Sequence, residues 1–538
     1  MYKLMCGITG IYNSYEVQKN STIQYRGPDE SVFHRGNVMT LLFDRLSING
    51  VSNGTQPFVK KDRQFICNGE IYNHIKLKES WGIECDTDSD CEVVFDALCN
   101  TELCCEDILR SIDGVFALIY EDANGRVIAA RDPIGIRPLY VAYDETDGVI
   151  GFSSEAKGFT TLLHPNVITK VVQFPPGHYY DSSEQQFIRY TDVVPEYITD
   201  IKSLQKSDDI DFMISHIHDL LYSAVEKRLM SERPVAFFLS GGLDSSIIAA
   251  IGAKIMHPQQ ITCFSIGTDD GLSPDVQAAK TVAKHLNAIH HIYNFKPEDA
   301  FREIKNTIWH LESYDCTTVR ASVPMFMLSK YINAHFDFKV ILSGEGADEL
   351  FGGYLYLHNA PNDLAFHNET LRLIKDVHQF DALRADRCTA GNGLELRVPF
   401  FDLQLVRYVT NIHPSFKVPH QSNLIKTKLE KLILRLSFTS YLPEEIILRQ
   451  KNGMSDAVGY AWVDFVRNNA REMLESDKME DINIEVNTPL SEEEHLYRLL
   501  FSNHFKDFAV TSHDGIWRPK WTTITDPSAR QLNDIFQE

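Results

Sequence analysis

Ser240-Gly241-Gly242-Leu243-Asp244-Ser245-Ser246 lies between one apolar run, Val235–Leu239, and a second with helical spacing. A bound phosphate needs close backbone approach and converging N–H donors. Gly241 and Gly242 permit that approach, and the N-terminus of the following helix adds a favourable dipole. Ser240, Ser245 and Ser246 add hydroxyl donors, and Asp244 is a hard oxygen ligand for the Mg²⁺ that accompanies a polyphosphate. The Gly-Lys-Ser/Thr ending of a Walker loop is absent, so the pattern points to a pyrophosphate cradle of another kind. Ser343-Gly344-Glu345-Gly346-Ala347-Asp348-Glu349 also follows an apolar strand. It belongs at the same C-terminal sheet edge, where open α/β sheets bind ligands. There Asp348 is a second candidate Mg²⁺ ligand, and Glu345 a candidate to orient an activated acid. Alone this segment reads as a solvated acidic turn; beside the first loop it does not. Lys451 has the charge to neutralise a departing pyrophosphate, although a lone lysine usually lies on the surface.

A second set of reactive types sits at the other end of the chain, beginning with Cys6. A cysteine at a mature N-terminus can use its own α-amino group as general base, and that amine titrates near neutrality. Asn68 and Gly69 can supply an oxyanion hole from a side-chain amide and a backbone N–H. Arg45 suits a substrate carboxylate, and Glu70 or Asp90 its α-ammonium. The competing reading of Cys6 is a buried free thiol at a strand start, the commoner fate of any one cysteine. Taken together, the two sets describe a chain that splits an amide at one end and activates an acid with ATP at the other.

The elements must place these residues. Up to about residue 195, short strand-like runs dominate: Gly7–Tyr12, Met39–Phe43, Gln64–Cys67, Gly114–Tyr120, Val127–Ala130 and Pro138–Ala142. Turn signals separate them, and helical periodicity is clearest at Asp90–Leu98, so an antiparallel α+β domain is expected. Residues 196–212 are polar and read as a linker. Then strands (Val235–Leu239, Ile261–Ile266, Lys339–Leu342) alternate with helices (Ser245–Met256, Val276–Leu286), a doubly wound parallel pattern. Beyond about residue 365 the pattern is mostly helical, and from 521 the tail is polar. The chain has 538 residues, enough for two or three domains. Lys+Arg is 52 and Asp+Glu 74, a net charge of −22 that argues against nucleic-acid or anionic-membrane partners. No apolar run is long enough to span a bilayer. The ten cysteines form no CxxC pair, which reads as reduced thiols in a cytoplasmic protein.

These motifs in this order resemble the glutamine-hydrolysing asparagine synthetases across nearly the whole chain. The resemblance rests on Cys6-Gly7-Ile8, Arg26-Gly27-Pro28-Asp29, Arg45-Leu46-Ser47-Ile48, Asn68-Gly69-Glu70-Ile71-Tyr72-Asn73 and Asp88-Ser89-Asp90-Cys91-Glu92. It continues through the two loops above, Glu395-Leu396-Arg397-Val398-Pro399-Phe400 and Arg449-Gln450-Lys451. It implies an N-terminal-nucleophile hydrolase domain with an αββα sandwich over residues 6–195. A linker at 196–212, an α/β ATP-pyrophosphatase domain with added helices over 213–520, and a tail at 521–538 would follow. It implies that Cys6 attacks the glutamine amide. Glutamine would be bound by Arg45, Leu46, Ser47, Ile48, Asn49, Asn68, Gly69, Glu70 and Asp90, and ATP by Leu239, Ile266, Ser343, Gly344 and the first loop. Glu345 would share in forming β-aspartyl-AMP. Ammonia would cross between the sites, and a homodimer is the family-level expectation.

Two features depart from the resemblance. Met1-Tyr2-Lys3-Leu4-Met5 precede Cys6, where a free cysteine amine is expected, so the active protein is expected to begin at Cys6. Asn452-Gly453-Met454 stand where Glu-Gln-Phe is expected. An ammonia-dependent synthetase, or a β-lactam-synthetase-like ligase with an idle amidotransferase half, is the alternative function. A nucleotide-binding pseudoenzyme is disfavoured by the intact first loop.

Overall fold

The computed structural model describes residues 6–100, 102–204, 209–268, 271, 273–418, 429–450, 460–476, 486–505 and 515–522. Lys451, Asn452-Gly453-Met454, the Met1–Met5 extension and tail residues 523–538 lie outside them.

The N-terminal half contains two six-stranded antiparallel sheets. The first has Gly7–Tyr12 between Val149–Ser153 and Met39–Arg45. The second has Arg63–Ile71 beside Gly114–Glu121. The sheets bury their facing side chains against each other: Ile8, Leu41 and Phe43 of the first pack with Ile66, Ile119 and Ala129 of the second. Helices His74–Trp81, Glu92–Cys99 and Cys105–Ser111 share a core with the outer face of the second sheet. The outer face of the first is covered by 3-10 turns at Ala156–Thr161 and Pro165–Val167, not by long helices. With both faces covered, strands such as Val127–Arg131 are buried at every position and read as continuous apolar runs.

The C-terminal half is built on a five-stranded parallel sheet. Its order is Ile289–Phe295, Thr262–Thr268, Val235–Phe238, Val340–Leu342 and Glu395–Arg397. The two glycine loops leave adjacent central strands, which brings them to one edge. Helix Ile210–Arg228 begins earlier than the polar composition of 196–212 leads one to expect. The side chain of Asp209 accepts the N–H of Phe212 at 2.9 Å and caps its first turn. No described helix is long and apolar enough to cross a membrane.

The halves meet through buried charge. Arg26 pairs with Glu155 at 2.6 Å and Asp386 at 2.9 Å; Arg387 pairs with Glu155 at 2.7 Å and Glu312 at 2.9 Å. Removing one member of such a network strands its partner in a medium that solvates it poorly, so the network fixes how the halves meet.

Candidate active sites

Cys6 immediately precedes the central strand Gly7–Tyr12, and the following segment of the neighbouring strand closes over its sulfur. The N–H of Leu46 donates to Sγ at 3.3 Å, and the thiol faces the Leu46 carbonyl at 3.5 Å. Burial pushes the Cys6 thiol up to about 12, with Leu46 opposing the shift. Arg45 is buried, its guanidinium held by Thr55 Oγ1 at 2.9 Å and the Gly50 carbonyl at 2.5 Å. The Ser47 N–H is held by Asp29 at 3.0 Å, and its carbonyl accepts Arg233 Nε from the other half at 3.0 Å. Ile48 is buried, and its carbonyl accepts the N–H of Glu232 at 3.2 Å. The segment Arg45–Asn49 is therefore clamped from both halves.

Asn68 and Gly69 lie inside the strand Arg63–Ile71. Among the described residues, the buried Nδ2 of Asn68 has no acceptor, as a donor reserved for a ligand would be. A Cβ on Gly69 would fall 2.3 Å from the Val115 carbonyl oxygen, so only glycine fits. Asn49 Nδ2 donates to Glu70 at 2.5 Å, and Asp90 accepts the Ile71 N–H at 2.6 Å. Burial raises the pKa of both acids. For Glu70, Glu395 adds to the rise and Arg397 opposes it.

In the other half, one cavity is lined by Leu239, Ser240, Gly242, Asp244, Ser245, Ile266, Ser343, Gly344, Glu345 and Asp348. Gly241 and Ser246 support it from behind. Gly241 turns at φ 76° against Ala278 and Ala279, and Ser246 is buried in the helix. The two loops touch backbone to backbone, since a Cβ on Gly344 would lie 2.5 Å from the Ser245 nitrogen.

The carboxylates of Asp244 and Asp348 converge on one cation, the ammonium of Lys431, 2.6 Å from each. Two hard carboxylates meeting on one positive charge are the donor set that suits Mg²⁺. No motif surrounds Lys431 in the chain, so its place in the cavity emerges only from the fold. The same holds for Arg384. It pairs with Glu345 at 2.8 Å and Asp381 at 2.6 Å, and so fixes the candidate acid in the cavity. Arg449 donates to the Gly241 carbonyl at 2.9 Å and pairs with Asp275 at 2.5 Å, bracing the first loop.

A buried thiol at a strand start in the antiparallel half and a cavity lined by two glycine loops in the parallel half are the arrangement a two-domain amidotransferase–synthetase requires. Residues 5–173 match the glutamine amidotransferase domain family, and residues 216–366 and 359–524 match the asparagine synthase family. The chain is 37% identical over 564 residues to a probable glutamine-hydrolyzing asparagine synthetase of Dictyostelium discoideum, spanning 98% of each. It is likewise 37% identical over 585 residues to glutamine-hydrolyzing asparagine synthetase 1 of Saccharomyces cerevisiae, spanning 98% of each. The chain belongs to the glutamine-hydrolysing asparagine synthetases.

Proposed function

We propose the following division of labour for glutamine-dependent asparagine synthesis in this chain. The N-terminal half, residues 6–195, is an N-terminal-nucleophile hydrolase of two stacked sheets, with helices on the outer face of the second and 3-10 turns on that of the first. The linker ends where helix Ile210–Arg228 begins, and an α/β ATP-pyrophosphatase domain runs to about residue 520.

Cys6 attacks the side-chain amide of glutamine, with its own freed α-amine as base. Asn68 Nδ2 and the Gly69 N–H take the negative charge of the tetrahedral intermediate. Arg45 receives the substrate carboxylate, Glu70 and Asp90 its ammonium, and Leu46, Ser47, Ile48 and Asn49 form the wall. In the second half, Ser240–Ser246 cradle the pyrophosphate of ATP, with Leu239, Ile266, Ser343 and Gly344 around the nucleotide. Aspartate attacks the α-phosphorus, pyrophosphate leaves, and ammonia converts the β-aspartyl-AMP to asparagine and AMP. Glu345, fixed by Arg384, orients the acid. Asp244 and Asp348 would hold Mg²⁺, which would supply positive charge beside the pyrophosphate; Lys451 assists in that role. The enzyme works in the cytoplasm as a homodimer.

The observation that carries this reading is the convergence of Asp244 and Asp348, from two separate loops, inside the cavity that Glu345 also lines. The test is Cys6→Ala. It is expected to abolish asparagine formation from glutamine while synthesis from ammonium salts continues. Equal loss of both would overturn the assignment of Cys6 to glutamine.

A further inference from the structure

Beyond the phosphate loops the cavity runs to an aromatic end lined by Tyr354, Tyr356, Phe380, Trp517 and Pro519. Trp517 and Pro519 belong to residues 515–522, which form neither helix nor strand. The segment is nonetheless fastened at three points. The Trp517 N–H donates to Asp315 Oδ2 at 2.8 Å, Arg518 pairs with Glu494 at 2.7 Å, and Lys520 pairs with Glu369 at 2.6 Å. Asp315 Oδ1 also accepts the Thr318 N–H at 2.8 Å, capping helix Cys316–His335. One carboxylate thus ties the segment to a helix that lines the same cavity.

Trp517 is 7% exposed, and its ring centroid lies 5.6 Å from that of Tyr354 and 5.8 Å from that of Tyr356. The Tyr354 hydroxyl donates to Glu349 at 2.6 Å and Asp381 at 3.0 Å. Asp381 holds Arg384, and Arg384 holds Glu345. The indole therefore backs the row of side chains that ends at the acid-orienting glutamate. An acyl-adenylate there has two fates. Ammonia attacks the acyl carbon and expels AMP, giving asparagine. Water does the same and returns aspartate and AMP, with the ATP consumed for nothing. Trp517 stands at the aromatic end of that row, with Tyr354, Asp381 and Arg384 between it and Glu345, and its ring carbons offer a water no hydrogen bond.

We propose that Trp517 is a water-excluding wall of the synthetase cavity that keeps ATP cleavage coupled to amide formation. The proposal rests on the reading of this cavity as the site of aspartate adenylation. It assigns Trp517 no contact with ammonia and no proton transfer.

The test measures AMP and asparagine released by the full-length chain with ATP, Mg²⁺, aspartate and saturating ammonium chloride. The unaltered chain should release equal amounts. Trp517→Ala should raise the ratio of AMP to asparagine by about three-fold or more, and Trp517→Phe should bring it back toward equality. Lys520→Ala breaks an exposed anchor without touching the buried ring, and should raise the ratio in the same direction by less. If Trp517→Ala fails to fold, this second variant carries the test. A ratio that stays at equality while the overall rate falls assigns Trp517 a structural role and overturns the proposal. If the unaltered chain releases no AMP with aspartate, the adenylation reading itself falls, an outcome distinct from an unchanged ratio.

Discussion

The guanidinium of Arg397 lies 3.2 Å from the carboxylate of Glu70, across the boundary between the two halves. Glu70 belongs to the proposed glutamine pocket. The Arg397 carbonyl accepts the Ser343 N–H at 3.0 Å, at the start of the second glycine loop. One residue therefore neutralises an acid in one site and holds a loop of the other in register. Burial and Glu395 raise Glu70, and Arg397, with a smaller contribution from Arg137, opposes them.

Arg397→Met should push the Glu70 carboxyl further up and weaken its hold on an ammonium group. Loss of one partner of a buried charge pair costs about 2–5 kcal/mol, so the glutamine KM should rise by about thirty-fold or more. The ammonium KM should change much less. Steady-state kinetics with each nitrogen donor checks this, and an equal rise in both would refute it.

The thiol of Cys6 sets a second expectation. Burial holds it up to about 12, so at neutral pH it is almost wholly protonated and must lose its proton as it attacks. In a chain that retains Met1–Met5, carboxamidomethylation of Cys6 should climb about ten-fold per pH unit, with no plateau below about pH 11. In a chain that begins at Cys6, the α-amine accepts the proton. Glutamine hydrolysis should then rise with pH and level off near about pH 8. Peptide mass spectrometry and a glutaminase assay of the two chains distinguish these profiles. A plateau near neutrality in the longer chain would show that the thiol needs no free amine.

Much of this architecture is legible in the amino-acid sequence. The strand Gly7–Tyr12 is readable from its own apolar run, and the glycine loops from their place after apolar strands. The strand Ile289–Phe295 is not, because His290, His291 and Asn294 interrupt its pattern on an edge where only one side is paired. Glu395–Arg397 is a three-residue strand with a charge at each end. Its buried charges pair with each other and with Arg137 and Glu70. Lys431 is the hardest case. Nothing near position 431 signals chemistry, and only the tertiary fold carries it to Asp244 and Asp348.

That placement makes a prediction about metal. Asp244→Asn and Asp348→Asn each remove one of the two carboxylates proposed to hold Mg²⁺. Each should slow aspartate-dependent pyrophosphate release by about two to three orders of magnitude and raise the Mg²⁺ concentration needed for half-maximal rate. Chelation by EDTA should stop the same step while glutamine hydrolysis persists. Pyrophosphate release that survives EDTA would sink the metal assignment.

Gly344 and Gly242 should separate loop architecture from nucleotide contact. An alanine Cβ at 344 would lie 2.5 Å from the Ser245 nitrogen and 2.7 Å from the Asp244 carbonyl carbon. Both neighbours are backbone, so the loops must move apart and take Asp244 with them. Gly344→Ala should therefore lower thermal stability, by about 1–3 kcal/mol of overpacking, and cut turnover as well. At 242 a Cβ would meet only Ser240 Oγ at 3.3 Å, and no left-handed φ is required there. Gly242→Ala should keep its melting temperature and lose ATP affinity, because the added methyl takes the space through which a phosphate approaches the backbone. Calorimetry beside ATP titration tests the pair. If Gly242→Ala binds ATP as the unaltered chain does, the first loop is not the cradle.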